Sequence, residues 1–439
     1  MPAAAYQENP ELMLLVVFKN VDQFLEHGVT DSSGWCFSSF AFVTLSVLGL
    51  SKKGFSLWDL TAQLSPRTKS ESTKVKVDYL LDAMSTHWRR PVDENTDRIL
   101  ETIKKCNLNG FPHYSGYATT NYISKKIASG IPIQTVLDLS TDKVEFLKKV
   151  KHISGLDFTV PKLQVLKALS GQTPQFGDWE DESNVMQKLY ERITEHGNQS
   201  TLGHYYCSKL TMLFYFGKYR DVIDVSNEGR VYFPFLVGQW VVVEWEFFNS
   251  IAIAAQYPKF TANEKKTHIK TFKKSLKQMK KWAEDCPENF DSYYFLMLAE
   301  LSAIEGKFEE TLTLFKDSIK AASKSGFRHI EAISNQRAAM FLLQRGYDKM
   351  AESFLKTAWD LFQDWGAQAV CKDLQIKYPL LLSIDKTELA SRMSSDNNSL
   401  QTIGTVNLVL DLGTILKASQ SLASHVKLDE LLQNLMYIV

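Results

Sequence analysis

Two stretches of this chain, centred on Gly306 and Gly346, lie forty residues apart and read as the same unit. Each is an amphipathic helix, a glycine turn and a second amphipathic helix. With the glycines superposed, Ala299 falls on Ala339, Phe315 on Leu355 and Ile319 on Trp359. A hairpin of this size cannot bury its apolar stripe alone and must stack on neighbours, so a period of this length predicts a helical solenoid. Solenoids mostly bind, brace and relay, so the expected function is non-catalytic unless a site overrides it.

Along the rest of the chain the same pattern predicts helix after helix. Helices are expected near 11–27, 34–50, 56–64, 72–88, 93–106, 113–129, 132–153 and 161–169, with Pro91, Pro112, Pro132 and Pro161 at the junctions. The β-branched VTLSVLGL inside 34–50 leaves a strand open as the alternative there. The Gly-, Pro- and acid-rich SGQTPQFGDWEDES is the clearest loop, either joining two sub-arrays or lying between repeats. Beyond it, helices are expected near 183–195, 200–215, 219–230, 234–256 and 262–285. The two clear hairpins at 291–325 and 328–366 follow, and then a closing helix near 367–377. Gly217, Gly306 and Gly346 are turn residues with no chemistry assigned.

The fold class is therefore all-α, a TPR-like helical-hairpin solenoid closed by a C-terminal amphipathic, coiled-coil-like connector helix. Its expected organisation is an N-terminal helical array over 1–170, TPR-like repeats over 171–382, a Ser/Asn-rich linker over 383–406 and an amphipathic helix over 407–439. In that last segment Leu408, Leu412, Ile415, Ser419, Leu422 and Val426 step by four and three. The seam would either pair two copies of the chain or fold back on the array.

Composition bounds the function. Fifty basic residues balance fifty acidic ones, so no global field draws in nucleic acid or an anionic membrane, and neither is an expected partner. Five dispersed cysteines without CxxC spacing argue for buried thiols in a reducing compartment. No stretch is long and apolar enough to span a bilayer and the N-terminus lacks a basic n-region, so the expected location is cytoplasmic.

Candidate chemistry is sparse. The nine histidines show no HxH or HExxH spacing, and no metal or cofactor site is expected. No GxxxxGK[ST] loop, HRD, DFG or histidine-kinase box occurs. Asp178, Glu180, Asp181 and Glu182 read as a helix N-terminus rather than a cation site. The lysines between 265 and 281 read as a solvated face that could instead meet an acidic partner or the phosphates of a neighbouring ATPase. The aromatic run YFPFLVGQWVVVEWEFF reads as core, with a partner groove or an enzyme pocket lined by Trp240, Glu244 and Tyr257 as the alternative.

YPKF, KQMKKWAEDCPENF, AELSAIEGKFEETLTLFKDSIKAASKSGF, EAISNQRAAMFLLQRGYDKMAESFLKTAWDLFQDWGA, KYPLLL and LDLGTILKASQSLASHVKLDELLQNLM resemble one family. It is that of the large hybrid sensor histidine kinases of bacteria, notably cyanobacteria, and fungi. These begin with a Ser/Thr-kinase-like domain and an AAA-type ATPase, followed by a TPR-like region, a GAF domain and a histidine kinase. NPELMLLVVFKNVDQFLEHGVTDSSGWCFSSFAFV and HYSGYATTNYI resemble the start of the same helical region. The resemblance implies a sensory or scaffold segment of a signal-transduction kinase, binding a protein partner or effector on its concave surface. It would relay to neighbouring kinase, ATPase and GAF modules, with 407–439 as the connector toward a GAF domain absent from this sequence. The alternatives are a stand-alone TPR-like adaptor and an unrecognised α-helical enzyme.

Overall fold

A computed structural model describes residues 10–28, 30–195 and 198–382; the expected linker at 383–406 and helix at 407–439 lie outside the described residues. Among the described residues there are eighteen α-helices and no strand, consistent with a helical-hairpin solenoid. The N-terminal half holds α1 (Pro10–His27), α2 (Ser33–Phe42), α3 (Ser51–Leu64), α4 (Glu71–Asp78), α5 (Val92–Leu108), α6 (Pro112–Ala128), α7 (Ile133–Lys149) and α8 (Ile153–Ser170). The remainder holds α9 (Val185–Glu195), α10 (Gln199–Tyr215), α11 (Tyr219–Glu228), α12 (Val241–Gln256), α13 (Ala262–Asp285) and α14 (Pro287–Ile304). It ends with α15 (Phe308–Lys324), α16 (Arg328–Leu343), α17 (Asp348–Trp365) and α18 (Gln368–Lys377).

The repeats form two rows with different sequence character. In the outer row, α13, α15 and α17 are amphipathic, and α13 buries only five of its twenty-four residues. In the inner row, thirteen of the sixteen residues of α12 are buried, and twelve of sixteen in α16. A helix covered all round needs packing partners on both sides. Each inner helix has the outer row on one side. On the other it meets the chain's own N-terminal helices.

Three contacts fix that arrangement. Asn289, at the start of α14, accepts from the Val92 amide at 2.9 Å and donates to His87 O at 2.7 Å and Arg90 O at 2.8 Å. Since α5 opens after Pro91 with no side-chain cap of its own, this amide from nearly two hundred residues away supplies the missing acceptor. The Trp88 ring stacks on Phe290 and packs against Trp282. Further along, Trp365 Nε1 donates to Ile131 O at 3.0 Å. There Gly130, at φ +70°, passes so close to the start of α16 that a Cβ would lie 2.9 Å from the Arg328 nitrogen. One hydrophobic core accordingly runs from Trp88 to Leu382, across residues 170 and 171. The concave face expected to hold a partner is occupied by the protein itself.

Three local expectations need correction. Pro161 is not at a junction but inside α8, which runs from Ile153 to Ser170. An internal proline costs about 3 kcal/mol; burial of Phe158, Val165, Leu166 and Leu169 outweighs it. The single helix expected over 132–153 ends at Lys149, because Lys151 turns at φ +52° and His152 Nδ1 accepts from Gly155 N to start α8. The helix expected over 234–256 begins only at Val241. Gly238 turns at φ +84° there, and Phe42 sits where a Cβ would be, 2.2 Å away. At VTLSVLGL the helical reading holds over its strand alternative: Val43–Val47 is a π-helical turn continuing α2.

Asn289 yields a direct test. Asn289→Ala strips partners from one buried amide and two carbonyls, and is expected to destabilise the protein by about 2–4 kcal/mol, read as a lower urea midpoint with an unchanged slope.

Candidate functional site

Where the N-terminal helices meet the inner row, the interface is not purely apolar. Helix α6 turns Ser124 and Lys125 inward, α8 contributes Lys162, α12 contributes Glu244, and α10 contributes His204 and Ser208. Lys162 Nζ donates to Ser124 Oγ at 3.1 Å. Lys125 is completely buried, its ammonium 5.5 Å from the centre of the Trp240 ring, with no hydrogen-bond partner among the described residues. The His87 ring lies 5.8 Å from that of Trp240, and neither of its nitrogens finds a partner among the described residues.

Burial dominates the protonation of this cluster. It holds the Lys125 amine well below the ordinary lysine value, with Lys162 adding to the effect and Glu244 opposing it. It pushes the Glu244 carboxyl up against the pull of Lys162 and Lys125. Burial and the charge of Lys125 push His87 well down. His204 falls to about 3, by burial and Lys162, despite its bond to Gln239. The Cys207 thiol is raised well above its usual value, and burial lifts Cys36 and Cys106 to about 11. Thiolate chemistry is disfavoured at each of these sulfurs.

Two cavities flank the Lys162–Ser124 contact. One, of 50 Å³, is lined by Lys162, Glu244, Ser208, Thr211, Tyr293 and His329 together with apolar side chains. Glu244 keeps part of its surface uncovered and lines this space. The other, of 80 Å³, is walled by Met13 and Val17 of α1, by Tyr79, Leu80 and Met84 of a π-helical turn, and by α6 aromatics, with His204 and Gln239 also at its wall. The π-helical turn spans Tyr79–Ser85, a geometry found often at functional sites.

The expected groove residues are only partly brought together. Trp240 is core, stacked on Phe290. Glu244 lines the smaller cavity and shares Lys125 with Trp240. Tyr257 stands thirteen residues beyond Glu244, roughly 20 Å along the helix, where its ring packs against Lys265 at 5.3 Å. The neighbouring acid Glu246 is paired, with Arg230 at 2.9 Å and with Ser275. Gly217, Gly306 and Gly346 close inter-helix turns at φ +69°, +78° and +78°. In the acidic loop, Asp181 accepts from Ser183 N and Val185 N, and Glu180 from Met186 N, so these side chains serve the start of α9.

Lys125, Lys162, His204 and Gln239 escaped the sequence reading. A lone lysine in a helix reads as solvated, and no spacing links residues that meet across thirty-five positions. Among the described residues no cluster of His, Cys, Asp or Glu gathers at metal-binding distance, and no helix is long and apolar enough to cross a membrane.

No family model and no curated protein matches this sequence.

Lys125 is a fully buried amine with no hydrogen-bond partner among the described residues. Lys125→Met keeps the shape without the buried amine and is expected to stabilise the protein by about 1–3 kcal/mol at neutral pH. Between the lowered value in the fold and 10.5 in the unfolded chain, the unfolded state binds more protons, so wild-type stability rises with pH. The advantage of the variant is therefore expected to shrink toward pH 10, as read by urea unfolding across a pH series.

Proposed function

We infer that this chain is a non-catalytic, cytoplasmic helical-repeat scaffold and sensory segment of a multidomain signal-transduction kinase or ATPase. It holds a protein partner on its outer row and relays to adjoining modules. The family resemblance and the hairpin period support the class of function. Its own N-terminal helices occupy the inner face, so the partner is assigned to the outside.

The observation that carries the assignment is the exposed face of α13. At about 100° per residue, Lys266, Lys270, Lys273, Lys274, Lys277, Lys280 and Lys281 fall within about 120° of the helix circumference, along roughly 22 Å of its axis. Lys273 and Lys280 have Glu305 and Glu284 at 3.9 Å. Lys266, Lys270, Lys274 and Lys277 have no carboxylate within 4.0 Å among the described residues. The opposite face is anchored by Phe272, Leu276 and Met279, so the stripe cannot turn inward. Lysine ammonium groups are strongly hydrated point charges, whereas planar nucleic-acid and phosphate recognition favours arginine. No tryptophan, tyrosine or phenylalanine of α13 shares this arc to stack a base, since Phe272 is buried on the other face and Trp282 lies outside the arc. Both facts favour an acidic protein surface.

Binding of fluorescent polyglutamate tests this. It is expected to weaken steeply with salt, and to fall at least ten-fold in the triple variant K270E/K274E/K277E, whose circular dichroism should match wild type. Tighter binding of single-stranded RNA than of polyglutamate would replace the protein partner with nucleic acid, and ATP hydrolysis by the purified chain would end the non-catalytic reading. The Lys162–Glu244 cavity favours a second reading, an α-helical enzyme. Turnover in a substrate screen that is lost in Glu244→Gln would bring it forward.

A further inference from the structure

The 80 Å³ cavity under α1 differs from the rest of the interior in how its polar atoms are satisfied. No Asp, Glu, Lys or Arg side chain lines it. Most of its polar side chains are already occupied by the protein. Ser39 Oγ donates to Trp35 O, Thr120 Oγ1 to Gly116 O, Asn121 Nδ2 to Tyr117 O, and Ser124 Oγ accepts from Lys162. Two atoms are not. Ser200 Oγ and His204 Nδ1 have no partner among the described residues, although both residues are at most 2% exposed. They stand one turn apart on α10, on one face of the helix.

The state of His204 specifies what they lack. Its Nε2 lies 2.8 Å from Gln239 Oε1, an acceptor, so Nε2 carries the hydrogen. The Phe158 ring, 4.5 Å away, holds the imidazole in place. In the neutral ring Nδ1 is then a lone pair without a donor among the described residues, and the Ser200 hydroxyl one turn earlier can donate or accept. A hydroxyl group meets both: its O–H donates to Nδ1 and its oxygen accepts from Ser200. A carboxylate has no hydrogen for Nδ1, and a cation finds no countercharge on the walls.

We propose that this cavity is a binding site for a small, uncharged, phenol-sized aromatic or apolar molecule bearing one hydroxyl, held by His204 Nδ1 and Ser200 Oγ against the aromatic and methionine walls. The volume is about half that of a roughly 150 Å³ apolar cavity that admits benzene; Met13 and Met84 are the unbranched side chains able to yield the remainder. The inference deepens the sensory part of the proposed function by giving it an effector class. It is independent of the α13 lysines, so failure here leaves the outer docking face untouched, and failure there leaves the cavity.

Phenol and toluene have nearly the same shape and differ in the donor. Calorimetric titration of the full chain is expected to show one phenol site, with toluene bound at least ten-fold more weakly and anisole, an acceptor without a hydrogen, no better than toluene. His204→Phe should erase the preference, and Met84→Trp should fill the space and abolish binding of all three. The wild-type comparison stands even if a variant misfolds. Equal affinity for phenol and toluene would make the cavity merely apolar, and no binding by either would leave it to water; each outcome overturns the proposal.

Discussion

Of the contacts that join the two halves of this molecule, the Asn289 carboxamide makes the most hydrogen bonds. The backbone between Thr86 and Val92 leaves one helical segment and enters the next at the edge of the core, where the His87 carbonyl and the Val92 amide are buried and need a partner from the protein. Asn289 satisfies both, and the Arg90 carbonyl with them, from the first turn of a repeat helix. The aromatic stack of Trp88, Phe290 and Trp240 forms around it. Because that junction holds, the inner row is covered on both sides, and a solenoid that would otherwise present a groove presents a filled interior.

Filling the groove with helices α6 and α8 brings charge into the core. Lys125, Lys162 and Glu244 meet where an apolar design would place leucine, and burial shifts the lysine at 125 and the acid against their charged forms. A buried amine without a hydrogen-bond partner among the described residues works against folding, a pattern that recurs where a site matters more than stability. The partly uncovered Glu244, and the Ser200 Oγ and His204 Nδ1 that lack partners among the described residues, lie on opposite sides of the Lys162–Ser124 contact, so one polar seam borders both cavities.

Both rows were readable as helices in the sequence, but what covers the inner row was not. Helices α15 and α17 carry an apolar stripe, a charged face and a glycine turn before them, so the hairpins at 291–325 and 328–366 stood out. Helix α12 shows no stripe because every side of it is covered, which is also why its aromatics could be read as core or groove alike. The acids within that aromatic run did point to Glu244, yet its cations come from α6 and α8, where local pattern sees only surface lysines. Pro161 and Gly238 misled for the same reason: a burial term and a close approach by Phe42 decide those backbones, and both come from residues distant in sequence.

The contact of Gly130 with the start of α16 has a consequence for how such a chain can vary. An open solenoid can gain or lose a hairpin, since each unit touches only its neighbours. Here the loop after α6 must meet α16 while the turn before α5 meets α14. A deleted or duplicated hairpin would shift one of those meetings by a whole repeat while leaving the other in place. The array is gauged at two points by its own N-terminal helices, and its repeat number is fixed as a ring's is rather than free as a ladder's.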